Sequence, residues 1–292
     1  MQIDLHCHTT ASDGALTPAE MVMRAGVMQI DVLAITDHDS ISGFQAAKIA
    51  REEQKLKRLE LIPGVEFSTT WEGFEIHILA WQFSLEHPAL VRLLAEQRER
   101  RHLRSEAIHA KLIKQGIAAE KLPAARPESS AKNQDGNQDG NVVTRLHYAQ
   151  ALFEHGYCNS VQDAFEKYLG KGQCAYEKPQ WCSMSEAVAV INAAGGVASI
   201  AHPLAYDLSN KWLRRLIAEF KDSGGRAMEV VSGQQSPEQR RWLTELAVEY
   251  ELLASVGSDF HYPGRYRELG RNLKMPDELT PVWHDWPEMQ GL

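Results

Sequence analysis

Histidine and carboxylate residues recur along this chain in short clusters whose spacing would bring side chains together. His6 and His8 lie two residues apart in a segment where apolar and polar residues alternate, and Asp259 and His261 show the same spacing. Side chains two residues apart on a strand point to the same face of the sheet. Each pair therefore brings two nitrogen or oxygen ligands together, which is about half of the set that a metal ion needs.

Further residues of the same types lie at or near other predicted strands, which gives nine candidate metal ligands. These are His6, His8, Asp13, His38, Glu66, His77, His202, Asp259 and His261. A catalytic zinc-type site takes three protein ligands and a structural one takes four, so this set suits two or three ions. A single His-x-His pair is weak evidence for a metal. Four clusters at separate strand ends are hard to explain as buried histidines, because co-located ionisable groups need compensation.

The elements that must hold these residues are short apolar strands alternating with capped helices. Residues 31–36 form a buried apolar run, and Thr17, Pro18 and Glu20 mark a helix start with a capping box. The alternation returns in the last third of the chain and predicts about seven strands in all. Strands joined by helices predict a parallel, barrel-like α/β fold, whose active face lies at the carboxyl ends of the strands. The candidate ligands are therefore expected at one rim.

A charged helical block interrupts this alternation and predicts an inserted domain. We expect a first barrel part at residues 1–94, a mostly helical cap at 95–185 and a second barrel part at 186–292. Within the cap, residues 133–140 repeat the tetrapeptide Asn-Gln-Asp-Gly, which is too polar to bury a core. The sequence therefore predicts a mobile polar loop near residues 123–141.

Composition limits the classes of partner. The chain has 292 residues and a formal net charge of −8, which argues against nonspecific coating of nucleic acid but leaves room for a local phosphate site. The four cysteines form no Cys-x-x-Cys pair, so neither a zinc ribbon nor a disulfide scaffold is expected. No signal-peptide pattern and no apolar run of about 18 residues is present, so we expect a cytoplasmic protein without a membrane span.

Six motifs in order along the chain resemble those of the PHP (polymerase and histidinol phosphatase) family. They are His6-x-His8-Thr9, Thr36-Asp37-His38-Asp39, Pro63-Gly64-Val65-Glu66, His77, Ala201-His202-Pro203 and Gly257-Ser258-Asp259-x-His261. The resemblance implies a distorted (β/α)7 TIM-like barrel that holds two to three divalent metal ions, most often manganese. Zinc and iron also suit mixed imidazole and carboxylate ligands, and the sequence does not choose among them.

The resemblance also implies how the ligands are shared. One ion would take His6, His8, Glu66 and Asp259, a second Glu66, His77 and His202, and a third Asp13, His38 and His261. We name Glu66, Asp259 and His202 as catalytic residues, with Glu66 bridging two ions. A metal-bridging hydroxide would attack phosphorus in line, because adjacent divalent ions lower the pKa of a shared water and stabilise charge on the phosphoryl oxygens.

The inserted block narrows the resemblance to one subgroup of the family. That subgroup contains 3′,5′-nucleoside bisphosphate phosphatases and 5′-to-3′ exoribonucleases of the RNase AM type. The similarity to the exoribonucleases lies in Thr144-Arg145-x-His147, Phe165-x-Lys167-Tyr168-Leu169 and Pro179-Gln180-Trp181-Cys182. It implies removal of the 3′-phosphate from a bisphosphate such as pAp, and stepwise hydrolysis of short 5′-phosphorylated RNA. Nucleotide bisphosphates and RNA 5′ ends are thus the expected partners.

Basic residues of the block are candidates for binding a second substrate phosphate, since arginine matches the geometry of that group. The candidates are Arg145, Arg101, Arg104, Lys167 and Lys171. A solvated, salt-bridged helix explains the helical arginines equally well. Packing of a small cap core is the favoured explanation for three aromatic residues that would otherwise stack on a base: Trp181, Tyr168 and Tyr148.

Two other functions are compatible with a PHP-like chain. A phosphatase for a cationic amino alcohol such as histidinol phosphate would favour acidic residues in the cap, whereas this cap carries arginine and lysine. A non-catalytic nucleotide-binding module is disfavoured by the complete ligand set. The sequence leaves the oligomeric state and the preferred base open.

Overall fold

The chain folds into two compact units. The computed structural model describes residues 1–126, 142–264 and 267–290. One unit consists of residues 1–94 and 182–292, and the other of residues 95–181. Most of the predicted polar loop, including the Asn-Gln-Asp-Gly repeat, lies outside the described residues. Among the helices that are described, none combines the length and the apolar character needed to cross a membrane.

The first unit opens with strands and helices in alternation. Its elements are β1 (Ile3–Asp4), α1 (Pro18–Val27), β2 (Val32–Ile35), α2 (Ser42–Glu53), β3 (Glu60–Trp71) and β4 (Phe74–Trp81). Thr17 forms the predicted capping box with Glu20 at the start of α1. Glu72 and Gly73, both at positive φ, turn β3 back into β4, as a tight antiparallel hairpin requires.

The second unit is helical and has an apolar core of its own. It contains the greater part of α3 (Pro88–Lys114), then α4 (Arg145–Glu154), α5 (Val161–Ala164) and a π-helical segment at Phe165–Leu169. Ile108 and Leu112 of α3 pack with Tyr148 and Leu152 of α4 in one buried cluster. The side chain of His147 completes the N-terminal cap of α4 with Thr144.

The chain then returns to the first unit. The remaining elements are β5 (Cys182–Ser183), α6 (Met184–Ala193), β6 (Val197–Ile200), α7 (Asn210–Asp222), β7 (Ala227–Ser232), α8 (Pro237–Glu249) and β8 (Leu253–Gly257). Ser183, Ser209 and Ser236 each accept a backbone N–H at the start of a helix. The sequence does not predict β5, because two residues carry no periodic signal.

The strands of the first unit form one sheet that curls into a nearly closed barrel. The order is β1-β2-β3-β4-β6-β7-β8, with β5 beside β3. Neighbours are parallel except at β4, which is antiparallel to β3 and β6. Across the remaining seam, Leu5 N–H donates to the Val256 carbonyl (3.1 Å) and Asp259 N–H donates to the His6 carbonyl (2.9 Å). The predicted α/β barrel is therefore confirmed.

Strand β3 is longer than the sequence predicts, and this changes the setting of Glu66. The sequence pattern predicts a strand over residues 59–67, but the second half of β3 forms a hairpin with β4 and continues to Trp71. Pairing with β2 ends at Pro63, and pairing with β4 begins at Gly64. Glu66 thus lies inside a strand, just beyond this change of partner, rather than at a strand end.

Candidate metal centre

Four side chains at the carboxyl-end rim of the barrel place ligand atoms close together. His6 and His8 follow β1, and their Nε2 atoms lie 3.1 Å apart, while Cys7 between them lies in an apolar cluster. Asp259 Oδ1 is 3.5 Å from His6 Nε2 and 3.4 Å from His8 Nε2. The oxygens of Glu66 come within 3.4 Å and 3.3 Å of the same two nitrogens.

The geometry of three of these residues fits a bound divalent ion. Nε2 of His6, Nε2 of His8 and Oδ1 of Asp259 form a triangle with sides of 3.1–3.5 Å. The centre of such a triangle is about 2 Å from each corner, which is the distance at which nitrogen and oxygen bind zinc-type ions. Two imidazole nitrogens facing each other beside two carboxylates form a set that an ion satisfies better than protons do.

Glu66 is the most heavily contacted carboxylate of the cluster. His77 Nδ1 and His202 Nε2 are each 3.0 Å from its Oε1, and His38 Nδ1 is 2.9 Å from its Oε2. With His6 and His8, these side chains surround one carboxylate that is completely buried. An ionised carboxylate offers about four lone-pair directions, so its two oxygens can serve more than one ion at a time.

Asp13 joins part of the same cluster from another side. Its Oδ1 is 3.4 Å from His261 Nε2 and 3.8 Å from His8 Nδ1, and its Oδ2 is 3.7 Å from His38 Nε2. His8 and His38 thus present one ring nitrogen to Glu66 and the other to Asp13. The two imidazoles link the two carboxylates.

All nine candidate ligands predicted from the sequence meet in this cluster. Within the described part of the chain, four overlapping groups have ligand atoms close enough to share an ion: His8, Asp13, His38 and His261; His6, His8 and Asp259; His6, Glu66 and His202; His38, Glu66 and His77. His77 and His202 both contact Glu66, as the implied assignment requires, but they fall into different groups. The division of ligands among particular ions remains a prediction.

Electrostatics keep the buried carboxylates ionised. Burial alone would raise the pKa of Glu66, but the imidazoles of His38 and His77 hold it well below the usual range. Burial alone would also raise the pKa of the Asp259 carboxyl. Nearby imidazoles, His261 above all, instead hold this pKa well below its usual range. The cluster therefore offers anionic oxygens at neutral pH, which is the state that binds cations.

The pKa values of the histidines shift in opposite directions. Burial, and then the charge of His261, lowers the pKa of His8 to about 3, so this ligand is neutral at neutral pH. Burial also opposes the protonation of His261, but the carboxylates of Asp259 and Asp13 raise its pKa to about 9. Because a metal ligand must be unprotonated, His261 has a proton to lose when an ion binds.

Glu229 is a buried residue of the centre that the sequence reasoning missed. It lies in β7, where its Oε1 is 3.1 Å from His6 Nδ1 and its Oε2 accepts the His202 backbone N–H at 2.6 Å. One carboxylate thus orients two candidate ligands, one through its ring and the other through its backbone. The available signal was an acidic residue in the middle of an apolar strand.

Two further buried aspartates hold the loops that carry the ligands. Asp37, next to His38 in the sequence, accepts hydrogen bonds from the Thr9 backbone, the Thr9 hydroxyl and the Ser12 hydroxyl. Asp4 accepts the backbone N–H groups of Ser258 and Gly270 at 2.9 Å each. Neither residue is a candidate ligand, and both fix backbone next to one.

Two candidate ligands, and a residue next to a third, have backbone conformations that residues other than glycine rarely adopt. Asp259 has φ 51° and His202 has φ 26°, and Asp39, next to His38, has φ 49°. Such conformations cost about 1–3 kcal/mol each and persist where the surrounding structure enforces them, most often at functional sites. Asp259 is further held by Arg267, whose Nη1 donates to its carbonyl oxygen at 2.9 Å and to its Oδ2 at 3.0 Å.

The predicted phosphate-binding arginines of the second unit lie around one tryptophan. The guanidinium carbons of Arg101 and Arg104 are 4.8 Å and 5.1 Å from the ring centre of Trp181, and both arginines are buried. With Arg145 they line a cavity of only 10 Å³. This is about the volume of one water, so a phosphate would enter only if these side chains moved.

The two predicted lysines are exposed, whereas Arg101 and Arg104 are buried. Lys167 pairs with Asp163 at 2.8 Å on the surface of the second unit, and Lys171 is exposed there.

Tyr148 is fully buried and donates its hydroxyl to the Ser105 carbonyl oxygen at 3.0 Å. Burial also raises the pKa of Tyr148 to about 12. Tyr148 therefore serves the core, as the packing interpretation expects.

Comparison with known proteins gives the class to which this barrel and its cluster belong. The PHP domain family matches residues 4–230 of the sequence. The chain therefore belongs to the PHP family, which confirms the resemblance read from the motifs.

Individual relatives are similar over almost the whole chain. The 5′-3′ exoribonuclease Rnm of Salmonella typhimurium is 45% identical over 287 residues, which cover 98% of this chain and 94% of the relative. The 3′,5′-nucleoside bisphosphate phosphatase of Chromobacterium violaceum is 36% identical and covers 97% and 95%. The solved structure of an amidohydrolase from Chromobacterium violaceum, with bound sulfate and no metal, has a TM-score of 0.84 at 35% identity and covers 97% and 95%.

Proposed function

We propose that this protein is a metal-dependent phosphoesterase that acts on nucleotides by two routes. It removes the 3′-phosphate from 3′,5′-nucleoside bisphosphates, and it hydrolyses short 5′-phosphorylated RNA stepwise from the 5′ end. The observation that carries the proposal is the convergence of nine candidate imidazole and carboxylate ligands, Glu66 among them, at one rim of the barrel. The names of the full-length relatives, an exoribonuclease and a bisphosphate phosphatase, support the same two substrates.

The two activities are one reaction on two substrates. In both, the oxygen of a water forms a bond to phosphorus, the bond from phosphorus to O3′ breaks, and O3′ receives a proton. The nucleoside 5′-phosphate leaves with a free 3′-hydroxyl. In the bisphosphate the released phosphoryl group is terminal, whereas in RNA it stays on the shortened chain as its new 5′-phosphate.

The residues of the first unit have separate tasks in this reaction. Divalent ions, when bound, would stabilise charge on the phosphoryl oxygens and make hydroxide available near neutral pH. Glu66, Asp259 and His202, with the other six candidate ligands, would hold these ions. Mixed imidazole and carboxylate ligands suit manganese, zinc and iron alike. Glu229 and Arg267 would orient His6 and Asp259, respectively.

Recognition of the terminal 5′-phosphate is assigned to the second unit. We infer that Arg101, Arg104 and Arg145 supply the guanidinium groups, with Lys167 and Lys171 adding charge, because planar guanidinium matches phosphate geometry. The stack of two arginines on Trp181 keeps the charges close together. Manganese as the native ion and the cytoplasm as the compartment belong to the same proposal.

A parallel assay with Mn²⁺ tests the proposal. The purified chain is given pAp, a 5′-phosphorylated oligoribonucleotide and the same oligoribonucleotide with a 5′-hydroxyl. We expect phosphate release from pAp, stepwise release of nucleoside 5′-phosphates from the second substrate, and much slower hydrolysis of the third.

Metal analysis of the same protein provides the control. Fewer than one ion per chain after supplementation with manganese, zinc or iron, together with no hydrolysis, would contradict the proposed function. Equal rates on the two oligoribonucleotides would contradict only the role of the basic residues in binding the 5′-phosphate.

A further inference from the structure

A cavity of 260 Å³ lies beside the metal centre within the first unit. Its walls come from the segments that follow β6, β7 and β8, and they include His202 and Asp259 of the cluster. Ala205, Gln235, Gln239 and Arg267 complete the part of the wall that bears on its chemistry. The cavity is therefore continuous with the place where phosphorus would react.

Arg267 gives this cavity a cation with a fixed position. Its Nη1 makes both of the hydrogen bonds that it forms with the described residues, and both go to Asp259. The segment that follows it is tied to the rest of the unit, since Glu268 pairs with Arg24 and Gly270 N–H donates to Asp4. The Nε and Nη2 edge of the guanidinium is the edge that binds a phosphate through two parallel bonds.

Two glutamine side chains add donors of known orientation. Gln235 Oε1 accepts the Ser232 backbone N–H, and Gln239 Oε1 accepts the Ser236 backbone N–H, each at 2.9 Å. Because the oxygen of each amide is engaged, the NH2 group is the part left for a ligand. A guanidinium and two amide NH2 groups suit a ligand rich in acceptors, such as a ribose and its phosphate.

RNA and pAp differ in one group for which the proposed reaction requires a binding site. In pAp nothing follows the phosphoryl group, whereas in RNA the next nucleoside is attached to it through O5′. We propose that this cavity binds that nucleotide, the one on the 3′ side of the cleaved bond, with Arg267 on its own 3′-phosphate. This inference rests on the proposed function, and it makes the cavity a determinant of RNA hydrolysis rather than of bisphosphate hydrolysis.

Narrowing the cavity tests the inference. Ala205 is exposed at the cavity wall, so Ala205→Phe adds volume there without entering the core. We expect it to lower the ratio of kcat/KM for a 5′-phosphorylated oligoribonucleotide to kcat/KM for pAp by about tenfold or more, because added bulk excludes a ligand that no longer fits. Ala205→Leu should give a smaller change of the same sign.

Two controls separate this inference from the proposed function. Ala46→Phe places the same bulk on an exposed position of α2 and should leave the ratio at its wild-type value. Thermal unfolding of each variant checks the fold, and binding of the oligoribonucleotide in EDTA, measured by fluorescence anisotropy, gives a readout that needs no turnover. An unchanged ratio and unchanged binding in folded Ala205→Phe would overturn the inference and leave the proposed function intact. A wild-type enzyme that hydrolyses pAp but not RNA would overturn both the RNA activity and this inference.

Discussion

The metal centre of the first unit and the arginine cluster of the second unit are built in different ways. Glu66 and His77 of the centre lie in paired strands. The other ligands lie beyond the ends of strands, where Glu229, Asp4 and contacts among the ligands hold them. Arg101 and Arg104 stack on the ring of Trp181 and line a cavity with room for about one water.

The two candidate sites therefore differ in rigidity. The backbone of a paired strand allows little choice in where its side chains point. Long side chains on a helix have many rotamers, and their positions are set by the packing around them. We therefore expect changes in the centre to affect the chemical step, and changes in the arginine cluster to affect substrate binding.

The largest effect is expected from removing a ligand charge. Asp259→Asn keeps the size of the side chain but removes the carboxylate that faces His6 and His8. Losing several kcal/mol of charge stabilisation corresponds to a fall in kcat of about a thousandfold. Initial rates on pAp with saturating Mn²⁺ measure it, and Asp277→Asn on the surface is the matched control. Near-normal turnover by a folded Asp259→Asn enzyme would reject this residue as a ligand.

A pH dependence of metal binding should follow from the proton on His261. The pKa of His261 is about 9 in the metal-free protein, since Asp259 and Asp13 outweigh the effect of burial. Below that pH the ion must displace a proton, so affinity should rise with pH by about tenfold per unit for each proton released. Titration calorimetry with Mn²⁺ at pH 6.5, 7.5 and 8.5 measures the slope. Affinity that is independent of pH would show that no ligand is protonated beforehand.

A smaller effect is expected from the carboxylate behind the ligands. Glu229→Gln keeps the shape of the side chain but weakens the orientation of His6 and of the His202 backbone. Replacing such a partner usually costs about 10–100-fold in metal affinity or activity. Mn²⁺ affinity and kcat are compared with those of Glu245→Gln, an exposed position on α8. Unchanged affinity would assign Glu229 a purely structural role.

The smallest effects are expected in the second unit, where two basic residues can be compared directly. Arg101→Ala should raise KM for 5′-phosphorylated RNA by about tenfold with little change in kcat, as expected for one lost charge-assisted hydrogen bond. Lys167→Ala should change KM less, because its ammonium already pairs with Asp163 at the surface. A fall in kcat with constant KM for Arg101→Ala would contradict the division of tasks between the two units.

Strand alternation explains why the ligand cluster could be predicted and its supports could not. His6 and His8 reveal their shared face through spacing alone, and short strands with capped helices reveal the barrel that gathers the other ligands. Glu229 and Asp4 act through partners more than 200 residues away, and Arg267 lies on the irregular C-terminal segment. An acidic residue in an apolar strand marks Glu229 as unusual, but no local pattern gives the partner of any of the three.

In the inserted unit, the sequence predicts the charged residues but not their placement. The charge of Arg101, Arg104 and Lys167 is evident from composition, but the sequence does not say which of these side chains is buried on an aromatic ring and which pairs at the surface. That outcome depends on tertiary packing, which overrides the spacing of charges on a helix.

The seam between β1 and β8 has a consequence for how the protein folds. The bond from Asp259 N–H to the His6 carbonyl joins residues near opposite ends of the chain, and the ligand cluster spans the same distance in sequence. Contacts of such separation form late, because the whole loop between them must close first. An ion held by His6, His8 and Asp259 would bind only the closed barrel and would add about 2.7 kcal/mol at a hundredfold excess over its Kd. The metal would then stabilise the closed barrel as well as take part in the reaction.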